Sequence, residues 1–257
     1  MSDAIQQGHV NINVSENGIA TIEFGHPLSN SLPGKILNLL ADTIREAGKN
    51  ENVKVIVLKS AGERAFCAGA SFDELISIDD LETGKVFFSG FANVINACRT
   101  CPKFIIGRVQ GKAVGGGVGV ASAVDYCYAT KFADVKLSEL AVGIGPFVVG
   151  PAVERKLGVS GMSQLAINAT AFRSASWAHE SGLYAEIFDS IEDMDEAIDQ
   201  LATKLSKSNP EAMKMMKGIF WEGTEHWDTL LKERAAMSGQ LVLSDFTRNA
   251  INAFKKK

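Results

Sequence analysis

The sequence predicts an α/β fold whose final part is helical. Three patterns carry that expectation. An apolar alternation opens the chain, strand and helix periods alternate through its first half, and helical spacing runs from about Gly161 to the end. The chain has 257 residues, 46% of them hydrophobic, with 26 basic against 30 acidic side chains and a net charge of −4. A single domain of this length buries roughly 75% of its unfolded surface. A mildly acidic chain lacks the electrostatic footprint of a nucleic-acid binder. No uncharged apolar stretch reaches the roughly 18 residues a membrane span needs, and Met1–His9 has neither a basic flank nor the apolar run of a secretory signal. The expectation is a cytoplasmic globular protein with no nucleic-acid or membrane partner.

Val10, Ile12 and Val14 alternate with polar residues, Glu16-Asn17-Gly18 turns the chain, and Ile19, Ile22 and Phe24 return, as in a hairpin. After Pro33-Gly34, residues Ile36, Leu37, Leu39, Leu40, Ile44 and Ala47 have helical spacing. Val53–Ser60 reads as a buried strand. Beyond Phe66-Cys67-Ala68-Gly69-Ala70-Ser71-Phe72-Asp73, helical segments run to about Ala97. Phe104–Gly111 is a second buried strand that enters Gly115-Gly116-Gly117. A short helix follows, then strand-like Tyr126–Thr130 and Val135–Leu137.

The cysteines are Cys67, Cys98, Cys101 and Cys127. Cys98-Arg99-Thr100-Cys101 has redox or zinc spacing. A zinc site needs two further ligands with their own spacing, and a redox pair belongs at a helix start, whereas this one follows a helical stretch. Buried inert thiols and no metal are the expectation.

The glycine run Gly115-Gly116-Gly117-Val118-Gly119 between a strand and a helix lets backbone N–H groups face a ligand at the positive end of the helix. A dinucleotide site is set aside, because Ser122 stands where a third Gly or Ala belongs. Only about nine residues also separate the run from the next strand, too few for a crossover helix. A phosphate loop is set aside because no Gly-Lys-Ser/Thr follows. Cys67-Ala68-Gly69-Ala70 is a second strand-end turn of small residues. Two such turns could each aim one N–H at the same oxygen, forming an oxyanion hole.

Ala65-Phe66-Cys67-Ala68-Gly69-Ala70-Ser71, Val109-Gln110-Gly111-Lys112-Ala113-Val114-Gly115-Gly116-Gly117 and Ala123-Val124-Asp125-Tyr126 together resemble the signatures of the crotonase (enoyl-CoA hydratase/isomerase) superfamily. Leu137-Ser138-Glu139-Leu140-Ala141-Val142-Gly143-Ile144, Arg155-Lys156-Leu157-Gly158 and the terminal Asn249–Phe254 extend the resemblance over essentially the whole chain. It implies a crotonase-like spiral of ββα units over residues 1–195 and a C-terminal helical segment over 196–257 that serves oligomerisation, as a homotrimer or dimer of trimers. It implies an acyl-CoA substrate and no separate cofactor, coenzyme A being part of the substrate. The N–H groups of Ala70 and Gly116 would hold a thioester oxyanion, and Ala68, Gly69 and Gly115 would lie along the CoA side. The Lys255-Lys256-Lys257 tail would be a solvated end or a minor CoA phosphate contact.

Family hydratases carry two glutamates. The second matches Glu139; the first falls on Gly119, which has no side chain to transfer a proton. Val148 and Val149 also replace small residues beside the reacting carbons, and Ser71 replaces a common Asp. Hydration suits two carboxylates, whereas double-bond isomerisation needs one base that takes a proton from C2 and returns it at C4. Burial among Leu137, Leu140, Val142, Ile144 and Phe147 would raise the pKa of Glu139. The resemblance therefore implies a one-glutamate enzyme with isomerisation favoured. The alternatives are a hydratase in which Glu154 or Glu63 substitutes for the missing carboxylate, and a catalytically silent acyl-CoA-binding protein.

Overall fold

The opening hairpin forms as β1 (His9–Val14) and β2 (Ile19–Gly25), paired antiparallel and turned at Gly18, whose φ is +81°. The computed structural model describes residues 7–255. Each subsequent passage of the chain gives one strand to a large sheet, one to a smaller sheet, and then a helix. β2, β3 (Ser31–Leu32) and α1 (Gly34–Lys49) form the first turn of this spiral. The second comprises β4 (Val55–Ser60), β5 (Ala65–Cys67), β6 (Gly69–Ala70), the short α2 (Phe72–Ile76) and α3 (Leu81–Thr100). β7 (Ile105–Val109), β8 (Lys112–Val114) and α4 (Gly116–Ala123) form the third. The fourth comprises β9 (Tyr126–Thr130), β10 (Val135–Lys136), a 3-10 turn (Glu139–Val142) and α5 (Gly150–Ile167).

The large sheet has the order β1-β2-β4-β7-β9-β11 and is parallel beyond the first hairpin. β10-β8-β5 and β3-β6 form the smaller parallel sheets. Buried parallel strands read as continuous apolar runs because both faces are covered. β4 shows this directly. Ile56 and Leu58 enter the main core, while Val55 and Val57 pack on the opposite face with Met194, Ile198 and Ala202.

Those three residues lie on α7 (Ile191–Ser206), one helical face laid on the sheet. A division at 195/196 therefore falls inside α7, in the middle of that packed face. The C-terminal half differs from its sequence reading in two further respects. Helix α5 starts at Gly150 rather than near Gly161, with non-helical Gly158 (φ +66°) breaking it. After α6 (Ala175–Glu180), the strand β11 (Glu186–Phe188) completes the large sheet. Three residues beginning with a charge carry too little periodicity to be read as a strand. The chain ends in α8 (Pro210–Phe220), α9 (Trp227–Val242) and α10 (Asp245–Lys255). No helix among the described residues is long and apolar enough to cross a membrane.

Two polar knots hold the turns of the spiral. Asn30, with φ +56°, accepts from the His26 N–H through its side-chain oxygen and donates to the carbonyls of Ala61 and Ala65, each at 2.9 Å. This fixes the start of the 65–70 segment against the β2–β3 connection. Asp125 accepts from the Ile105 N–H and the Lys217 ammonium, each at 2.8 Å, and from the Trp221 indole N–H at 3.0 Å. Lys217 and Asp125 are both buried side chains, so α8 is latched to the sheet by a desolvated ion pair.

Candidate active site

Residues 68–70 and the glycine run meet across the smaller sheets. A Cβ built on Gly69 (φ +98°) would lie 3.9 Å from the Gly116 nitrogen. Gly117 packs still closer, since its Cβ would stand 2.6 Å from the Cys67 carbonyl oxygen. On the other side, a Cβ on Gly116 would come within 2.2 Å of the Phe91 ring. Only glycine fits at either position. Gly115 has φ +53° and starts the helix, so Gly116 is its first residue and its N–H has no acceptor within α4. The Ser71 N–H donates to the Leu32 carbonyl at 3.0 Å, and amide alternation along an extended strand turns the preceding N–H, that of Ala70, away from this pairing.

Ala68, Gly69, Ala70, Gly115, Gly116 and Glu139 all line one cavity of about 470 Å³. The two small-residue turns and the glutamate thus border one space. Phe72, Phe87, Phe88, Phe91 and Phe147 supply much of the remaining wall, together with Val148 and Val149. The phenylalanines of α3 have a helical spacing legible in the sequence, but their direction is set by the packing of α3 on α1 and α9. Helix α10 helps close the loop after Glu139, where Thr247 donates to the Gly143 carbonyl at 3.1 Å.

Glu139 opens the 3-10 turn, and its carbonyl accepts from the Ile144 N–H at 3.0 Å. One carboxylate oxygen, Oε1, lies 3.0 Å from where a Cβ on Gly115 would stand. The other, Oε2, is buried with no hydrogen-bond partner. Burial pushes the carboxyl up from its ordinary 4.5 to about 7, partly offset by a hydrogen bond from its own backbone N–H. Among the residues lining the cavity, Glu139 is the one carboxylate. Glu154 is exposed on α5, and Glu63 lies at a second recess with His9, His26 and Arg64. Neither reaches the Glu139 cavity. At Gly119, a Cβ would meet Val149 Cγ1 at 2.5 Å, so the place of a side chain is filled.

All four cysteines are free and buried. Cys98 sits inside α3 and Cys101 caps its C-terminal end. Burial pushes Cys67, Cys98 and Cys127 to about 12 and raises Cys101, the opposite of an activated thiolate. Among the described residues no group of three or more His, Cys, Asp or Glu is arranged to hold a metal ion. His179 accepts from or donates to nothing in the cavity; its Nδ1 lies 2.9 Å from the Tyr184 carbonyl. Lys256, Lys257 and the Lys255 side chain lie outside the described residues.

The spiral of ββα units and its helical end define an α/β protein of the crotonase fold class. The solved structure of enoyl-CoA hydratase from Bacillus halodurans is similar over 95% of this chain and 99% of that one, with a TM-score of 0.86 at 19% identity. The enoyl-CoA hydratase/isomerase family model matches residues 14–257, and the chain belongs to that family of enzymes. Its relatives include the short-chain-enoyl-CoA hydratase of Clostridium acetobutylicum, 27% identical over 244 residues that cover 94% of this chain and 93% of that protein. Another is the peroxisomal Delta(3,5)-Delta(2,4)-dienoyl-CoA isomerase of Arabidopsis thaliana, 26% identical over 221 residues covering 80% of this chain and 78% of that protein.

Proposed function

We propose that this protein binds an enoyl thioester of coenzyme A in the Glu139 cavity and moves its double bond, with Glu139 as the single acid/base. The observation that carries this reading is the proton count: one carboxylate lines the cavity, and its Oε2 is buried without a partner. The Glu139 carboxylate takes a proton from C2 of a 3-enoyl thioester. The electron pair moves into the thioester carbonyl, whose oxygen becomes anionic and accepts from the Ala70 and Gly116 N–H groups. The same carboxyl returns the proton at C4, leaving the 2-enoyl thioester. Donors preset at the developing oxyanion are typically worth about 2.7–4 kcal/mol each, and the helix start at Gly116 adds positive potential.

A proton and a double bond are all that move, so the reading needs no separate cofactor; coenzyme A enters as part of the substrate. Hydration, the reaction named for several relatives, asks for a second group to handle water. Val149 against Gly119 and the exposed Glu154 argue against one here. The reading includes a cytoplasmic homotrimer or dimer of trimers, supported by the exposed Met215, Met216, Ile219 and Phe220 on α8. One preparation assayed with 3-hexenoyl-CoA for isomerisation, 2-hexenoyl-CoA for hydration, and CoA release tests the chemistry. Isomerisation well ahead of hydration is expected; hydration as the main activity overturns the one-carboxylate mechanism.

A further inference from the structure

Lys136 is the other charged residue that lines the Glu139 cavity. It stands opposite Val114 in the β10–β8 pairing, so Lys112, two residues before Val114, shares its face of the sheet. Their ammonium groups converge on one ring: Lys136 Nζ lies 4.4 Å and Lys112 Nζ 4.7 Å from the centre of Phe172. Two like charges drawn to one aromatic ring repel each other. Among the described residues neither has a carboxylate within ion-pair distance. Thr170, two residues before Phe172, adds an exposed hydroxyl to the same cavity wall.

Lys136 is also tied to the reacting end. Its carbonyl accepts from the Gly115 N–H at 2.8 Å, one residue from the Gly116 amide. The Lys136 backbone is therefore anchored beside the amide proposed to hold the thioester carbonyl, while its ammonium rests on the Phe172 ring. Lys136 is half-buried, whereas Lys112 and Phe172 are exposed and lie outside the cavity lining. The pair of cations thus stands on the solvent side of the cavity, with no carboxylate of the described residues to meet it. A second carboxylate brought in by a ligand would raise Glu139 further by like-charge repulsion unless a cation met it. Lys136, with Lys112 behind it, meets that requirement.

We propose that Lys136 and Lys112 form an anion subsite for a carboxylate on the acyl group, making the substrate class a carboxylated, dicarboxylic-type acyl thioester. This rests on the reading of the cavity as an acyl-CoA site. The test is calorimetric binding of adipoyl-CoA and hexanoyl-CoA, which match in chain length and differ in the terminal carboxylate, to wild type, Lys136→Met, Lys136→Arg and Lys112→Met. Thermal melts establish that each variant is folded. Wild type should bind adipoyl-CoA about tenfold tighter, the scale of one charge-assisted contact. Lys136→Met should erase that preference, Lys136→Arg should keep it, and Lys112→Met should reduce it. Equal weakening of both thioesters by Lys136→Met would mean that the lysine serves the CoA phosphates, overturning the subsite. Tighter hexanoyl-CoA binding in wild type overturns it as well. If neither thioester binds, the acyl-CoA reading itself fails, an outcome distinct from binding without preference.

Discussion

Val149 occupies the space that a side chain on Gly119 would need: a Cβ there would lie 2.5 Å from Val149 Cγ1 and 2.8 Å from its Cβ. Packing thus fills the position at which the resemblance would place a second carboxylate, and introducing one there requires two changes. Gly119→Glu alone should cost about 1–3 kcal/mol by overpacking and add no hydration. Gly119→Glu combined with Val149→Ala should recover stability and let 2-hexenoyl-CoA hydration be detected. Hydration gained by the single variant, read in the same absorbance assay, would mean that Val149 is not the obstacle.

Gly116→Ala makes a complementary prediction at the other end of the site. The added methyl would meet the Phe91 ring at 2.2 Å, so either α4 or α3 shifts and the Gly116 N–H moves off its target. Loss of a single oxyanion donor costs roughly 10²–10³ in kcat, and a loss of that order is expected with a smaller change in KM. Wild-type kcat would remove Gly116 from the mechanism.

The latch on α8 gives a prediction about stability alone. Lys217→Met leaves the buried Asp125 carboxylate with two neutral N–H donors and no ion-pair partner, since Lys156 donates only to the Asp125 backbone carbonyl, at 3.2 Å. Breaking a buried pair from one side typically costs about 3–5 kcal/mol, a fall in Tm of roughly 10 °C for a domain of this size. The double variant Asp125→Asn/Lys217→Met should recover part of the loss. A Lys217→Met melt within a degree of wild type would show that the pair contributes nothing net.

These residues also mark how far the sequence could be read. Gly115–Gly119 and Cys67–Ala70 were visible as close-approach turns because small residues there have few other uses, and Glu139 as the glutamate of a matching motif. What the sequence did not reveal was contact between distant segments. Nothing in residues 119 and 149 signals that one fills the other's space, and nothing in Lys112, Lys136 and Phe172 signals a shared ring. β11 and the run of α7 across position 195 were missed for a related reason. Both are set by docking on the large sheet, through pairing with β9 and packing on β4, rather than by local period.

With Glu139 as the proposed base, activity and stability should depend on pH with opposite signs. As a base it must be ionised, so kcat/KM for 3-hexenoyl-CoA should climb as pH rises through about 7 and level above it. Stability runs the other way. The unfolded chain ionises this carboxyl near its ordinary 4.5, the folded chain only near about 7. Between those values the folded state holds a proton that the unfolded state has lost, so stability falls as pH rises through that window. The loss sums to about 3 kcal/mol from this group. Glu139→Gln removes the titrating proton. Relative to wild type, the variant should therefore gain stability between pH 5 and pH 8, read from urea unfolding at each pH, while double-bond chemistry is abolished and hexanoyl-CoA binding is nearly retained. A stability difference between the two proteins that stays constant from pH 5 to pH 8 would mean that Glu139 is not held protonated by the fold. Full activity in the variant would take the proton transfer away from Glu139 altogether.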